Sequence, residues 1–65
     1  MNVILVSRYG KTFEFSCKDV NYTVNNGRLS NIAFHNPSVN IPDCFTLSKV
    51  RAFEDNGNEL TIYCR

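Results

Sequence analysis

The side chains best equipped for chemistry in this chain are Lys49, Arg51, Phe53 and Tyr63. A strand shows alternate residues on one face, so if positions 49 to 53 pair with the segment ending at Tyr63, two cations and two rings share a surface. Rings on a sheet can stack nucleobases while neighbouring cations meet phosphates, which is what a single-strand nucleic-acid binder needs. The plainer alternative packs Phe53 and Tyr63 against the sheet, with the cation stems snorkelling to water, and the usual burial of phenylalanine favours it. A second stretch, Lys11-Thr12-Phe13-Glu14-Phe15, has the basic, alternating-aromatic look of a nucleic-acid-reading strand but lacks the glycines of the RRM signature. Glu54, Asp55 and Glu59 gather around one turn and form an acidic knob. Such a knob could mimic phosphate or meet a basic partner surface, although a hairpin tip also needs charge simply to stay soluble.

No arrangement for catalysis or metal binding stands out. His35 is the only histidine, and with Asp43 and Cys44 nearby in sequence a thiol and imidazole pair is conceivable. Nothing in the spacing brings them into contact, and a surface-loop histidine is the ordinary explanation. Cys17, Cys44 and Cys64 are odd in number and lack CxxC spacing, so neither a disulfide framework nor a zinc knuckle is indicated, and reduced thiols are expected. No cofactor is expected.

The elements that must position these groups are short strands. Turn signals recur at Tyr9-Gly10, Asn25-Asn26-Gly27, Asn36-Pro37, Ile41-Pro42-Asp43 and Asp55-Asn56-Gly57-Asn58, and the stretches between are rich in Val, Ile, Phe, Tyr and Thr. This punctuation predicts an all-β, mostly antiparallel meander of five or six strands, a twisted sheet or small, partly open barrel. One domain spans residues 1–65.

The first hairpin should join Asn2 to Ser7 with Lys11 to Cys17 around Arg8-Tyr9-Gly10, placing Leu5 opposite Phe13 and Val3 opposite Phe15. The uninterrupted run Val3-Ile4-Leu5-Val6 suggests a strand covered on both sides or central in a curled sheet. An Asn26-Gly27 turn should pair Val24 with Leu29 and Val20 with Ala33, with Tyr22 on the same face and Asn21, Thr23 and Ser30 on the wet one. A three-residue loop Asp55-Asn56-Gly57 would pair Ala52 with Leu60, Val50 with Ile62 and Ser48 with Cys64 as core. Lys49 would then lie across from Tyr63, and Arg51 across from Thr61. The segment from His35 to Asp43 reads as a surface loop, and Asp43 could cap a short helical turn within 43–49, although Thr46 and Val50 favour strand.

Sixty-five residues leave room for one thin core, and a chain of this size without metal or cofactor binds more often than it catalyses. A hydrophobic fraction of 43% with 20% charged residues is that of a folded chain, and a net charge of +1 excludes a whole-molecule field that would gather polyanions. The longest apolar run is far short of the roughly 20 residues of a membrane span, and no signal peptide is evident, so a cytoplasmic protein is expected.

The leading expectation is a non-enzymatic module that works by protein contact through sheet edges, loops and the two charged surfaces. Single-stranded nucleic-acid binding is the alternative. A core this small puts a homodimer only a little behind a monomer. The brevity, abundant asparagine and missing catalytic constellation resemble the short accessory proteins that bacteriophages use to inhibit host or defence factors. That is a similarity of type, which implies a protein partner and assigns no residue.

Overall fold

The computed structural model describes residues 1–41 and 47–65. Six strands account for most of them: β1 (Asn2–Val6), β2 (Thr12–Ser16), β3 (Asp19–Asn25), β4 (Arg28–His35), β5 (Val50–Asp55) and β6 (Glu59–Cys64), with a single 3-10 turn at Leu47–Lys49 ahead of β5. The chain is all-β and mostly antiparallel, as its turn punctuation predicts. It is not a simple meander, however. Four strands form one sheet in the order β2-β1-β6-β5, in which β1 and β6 run parallel, and β3 and β4 form a separate two-stranded ribbon. No barrel closes.

The parallel pairing follows from the apolar run. Val3, Leu5, Leu60 and Ile62 stand in register, Val3 beside Leu60 and Leu5 beside Ile62, and Val3, Leu60 and Ile62 are wholly buried. Burying these three removes the most apolar positions of two strands from water at once, at about 25 cal/mol per Å² of apolar surface. β1 is thus a central strand, and the first hairpin has the expected register, Val3 opposite Phe15 and Leu5 opposite Phe13, around Arg8-Tyr9-Gly10.

The β3–β4 ribbon lies on one face of the four-stranded sheet and supplies the second layer. Phe34 meets Phe15 edge-on at 5.3 Å, and Tyr22 meets Phe53 at 5.5 Å. The ribbon turns at Asn26 (φ 54°) and Gly27 (φ 77°), two consecutive left-handed residues that match the right-handed twist of the strands on either side. Val24 pairs with Leu29 as expected, but Val20 pairs with Phe34, not Ala33. The cause is a bulge: between the pairs Val24–Leu29 and Thr23–Asn31, Ser30 is an extra residue, and its hydroxyl donates to the Thr23 carbonyl at 3.2 Å. Leu29, Ile32 and Phe34 cannot share one face of a regular strand, because their spacing changes parity. One inserted residue restores it.

The last hairpin also departs from expectation. Asp55 pairs with Leu60, Glu54 with Thr61, Phe53 with Ile62, Ala52 with Tyr63 and Val50 with Cys64, so none of the anticipated pairs (Ala52 with Leu60, Val50 with Ile62, Ser48 with Cys64, Lys49 with Tyr63, Arg51 with Thr61) forms. The tip is Gly57-Asn58, closed by Asn56 donating its backbone N–H to the Glu59 carbonyl at 3.2 Å. The Asn56 side chain accepts from the N–H groups of Asn58 (3.0 Å) and Glu59 (2.8 Å). This tip slides the register by an odd number of residues, which exchanges the two faces of β5 against β6. Phe53 therefore faces the core.

The helical turn, the less favoured alternative for this stretch, is present in part, as Leu47–Lys49. Its cap at Asp43, the Ile41-Pro42-Asp43 turn, Thr46 and Cys44 lie outside the described residues. Among the described residues, no helix is long and apolar enough to cross a membrane.

Candidate functional site

The topology sorts charge to the two ends of the four-stranded sheet. Because β1 and β6 are parallel, the residues that follow them, Arg8 and Arg65, emerge at the same end. The antiparallel partners β2 and β5 begin at that end, and they are preceded or opened by Lys11, Lys49 and Arg51. Two open clefts flank this end. One, of about 300 Å³, has Arg28, Arg51 and Arg65 in its walls beside Leu29 and Phe53. The other, of about 440 Å³, is largely apolar and is rimmed by Arg8, Lys11, Lys49 and Arg65. Arg65 belongs to both.

Six of the seven lysines and arginines therefore surround two adjoining clefts, and among the described residues neither is lined by an Asp or Glu side chain. Among the described residues, none of these six cations is ion-paired. Glu54, Asp55 and Glu59 lie at the opposite end, in a molecule measuring 27 × 25 × 20 Å. Fields in physiological salt decay over about 8 Å, so these three acids do little to compensate the cationic end. A net charge of +1 thus conceals a strongly polar surface.

Local structure fixes the cations. The Ser7 hydroxyl oxygen accepts from the Tyr9 N–H at 3.3 Å and the Lys11 N–H at 3.1 Å, holding the turn that carries Arg8 and Lys11. Across the second cleft, the Arg65 N–H donates to the Lys49 carbonyl at 2.7 Å, which ties the other two cations together. Arg8 lies 5.2 Å above the Tyr9 ring, and Arg51 lies 5.4 Å above the Tyr63 ring.

Of the anticipated basic and aromatic group, Arg51 and Tyr63 are in contact and Lys49 stands at the same end. Phe53 leaves the group, because the changed register turns it inward against Tyr22 and the core. Arg51 is itself the extra residue of a bulge between the pairs Val50–Cys64 and Ala52–Tyr63. Arg8, Arg28 and Arg65 escaped sequence reasoning. Their signal was that cations flank the ends of β1, β2, β5 and β6, which has meaning only once β1 and β6 are known to be parallel.

The acidic group is divided. Glu54 and Glu59 belong to the outer face of the sheet, while Asp55 pairs with Leu60 on the core side and is committed to structure. Its carboxylate accepts from the Gly57 N–H at 2.8 Å and from the Tyr22 hydroxyl at 2.8 Å. These two donors, the Gly57 N–H first, hold Asp55 below the usual carboxylate range. The same bond to Asp55, with smaller contributions from burial and the negative charge, raises Tyr22 above the usual phenol value.

His35 ends β4, exposed, with its Nε2 2.9 Å from the Asn21 side-chain nitrogen. The Cys44 and Asp43 of the conceivable thiol and imidazole site lie outside the described residues. Among the described residues, no three His, Cys, Asp or Glu side chains gather in a way that could hold a metal ion. No known family model, curated protein or solved structure matches the chain.

Proposed function

We propose that this chain is a non-enzymatic binding module that acts by protein contact, with the cationic end of the four-stranded sheet as its contact surface and an acidic patch as the partner's counterpart. One observation carries this reading: six of the seven cations surround two adjoining clefts that, among the described residues, no Asp or Glu side chain lines, with the acids of the last hairpin at the far end. Crowding unpaired like charges works against folding, so a complementary partner gives the arrangement a use. A host or defence factor, blocked in the cytoplasm by a phage-type accessory protein, is the class of partner that the chain's type suggests. A second copy of the chain is the competing partner for the outer sheet face, and light scattering after size exclusion separates dimer from monomer.

The test is affinity capture from host lysates with the native chain, an Arg51→Glu/Arg65→Glu variant and a Glu54→Lys/Glu59→Lys variant. A partner held by the native chain and the acidic-end variant, but lost from the cationic-end variant, is the expected result. Absence of any specific partner across several lysates overturns the reading.

The exposure of Tyr9, at 80%, favours single-stranded nucleic acid as a second reading, because an open ring beside Arg8 offers a stacking surface. Fluorescence anisotropy with labelled single-stranded DNA and RNA decides it. Binding that weakens steeply with salt supports it, and no binding at low salt eliminates it.

A further inference from the structure

The larger cleft is the open end of the core. Leu5 and Phe13 face each other across β1 and β2 on the side that the β3–β4 ribbon covers, yet Phe13 is 39% exposed while Phe15, two residues on, is buried under Phe34. Among the described residues, the ribbon roofs one end of this apolar row and leaves the other uncovered. Four cations stand around the uncovered end, Arg8 and Lys11 held by the Ser7 turn and Lys49 and Arg65 held by their backbone bond.

We propose that this groove binds an acidic peptide segment of a partner protein: one aliphatic side chain of the segment seats on Leu5 and Phe13, and Asp or Glu residues on either side meet the four cations. The inference rests on the protein-contact reading above and names the chemistry of the partner. Three observations favour it. A volume of about 440 Å³ is at the small end of the range of ligand pockets and accommodates one anchoring side chain with its backbone. Among the described residues the rim carries four cationic side chains and no Asp or Glu side chain, so acidic flanks are complementary on both sides. A nucleobase fits this groove less well, because Phe13, the ring on its floor, leans at 54° against Phe15 and among the described residues has no parallel ring opposite.

The experiment is a titration of the 15N-labelled chain, read by amide shifts and by anisotropy, with a short fluorescent peptide of Asp and Glu around a single central Leu. Shifts should concentrate at Leu5, Phe13 and the four rim residues. Replacing the central Leu by Ser in the peptide, or making Lys11→Glu/Lys49→Glu in the protein, should weaken binding about tenfold or more, whereas Lys18→Glu, away from both clefts, should leave it unchanged. Equal affinity of the Leu and Ser peptides overturns the proposal, since charge alone would then account for binding. Tighter binding of an oligothymidylate of matched charge also overturns it. If the peptide fails while capture still depends on Arg51 and Arg65, the groove proposal alone falls. If capture fails as well, the protein-contact reading falls with it.

Discussion

Replacing Phe53 by alanine is the most direct test of the register that places the site. Phe53 stands opposite the wholly buried Ile62, is itself half-buried, and meets the Tyr22 ring edge-on at 5.5 Å. A fully buried Phe→Ala change costs about 3–5 kcal/mol, so half burial scales to about 2 kcal/mol. Loss of the ring pair adds about 0.5–1.5 kcal/mol, giving about 2.5–3.5 kcal/mol in all. The whole domain should have only about 3–10 kcal/mol to lose at 65 residues. With a urea dependence of about 1 kcal/mol per molar, the unfolding midpoint should fall by about 2.5–3.5 M, and Phe53→Leu should recover most of it. The Tyr22 ring protons should also change shift. A loss below about 0.5 kcal/mol, the behaviour of an ordinary surface position, would refute the inward placement of Phe53 and return it to the face of Arg51 and Tyr63.

Three further outcomes are expected. Deleting Ser30 should be tolerated within about 1 kcal/mol, because it removes a bulge and leaves Leu29, Ile32 and Phe34 on one face, whereas deleting Ala33 turns Phe34 outward and should abolish cooperative thermal unfolding. The lowered pKa of Asp55 means that its contribution is present above about pH 4 and is lost as pH falls through the lower native value; the raised pKa of Tyr22 means that its contribution is present below about pH 10 and is lost as pH rises past the higher native value. Thermal midpoints across pH should show both limbs, Asp55→Asn should flatten the acid one, and Tyr22→Phe should remove the alkaline one. Finally, the crowded cations repel one another, so added salt should raise the thermal midpoint of the native chain, while Lys11→Glu/Lys49→Glu should raise it at low salt and reduce its salt dependence. A native midpoint that falls with salt would contradict the unpaired state of these charges.

What could be read from the sequence was local. Gly10 and the three-residue turn fixed the first hairpin to the residue, because a chain reversal that needs a left-handed position leaves little choice of register. The other two hairpins each contain a bulge, and a bulge answers to parity on the buried face rather than to the turn. In β4 that parity was visible in the spacing of Leu29, Ile32 and Phe34. In the last hairpin two turns compete, and the tip at Gly57-Asn58 prevails because Asp55 and Asn56 cap it while Phe53 gains a half-buried position against the core. The parallel pairing of β1 with β6 joins distant segments, and no turn signal encodes it.

These non-local features are also what make the surface. Had β5 taken the register that its alternation suggests, Phe53 would lie beside Arg51 as an open ring, and the nucleic-acid reading would have its platform. The odd shift at the tip turns the ring inward to half-burial against Tyr22, and the bulge at Arg51 sends the guanidinium over Tyr63 instead. The same sheet order that sets Val3 against Leu60 and Leu5 against Ile62 must carry Arg8 and Arg65 to one end, since both lie just beyond parallel strands in register. The core pairing and the cationic end are therefore one feature. A variant that disrupted the β1–β6 pairing without unfolding the ribbon would have to lose both, whereas reversing the surface charges should abolish contact and leave the core intact.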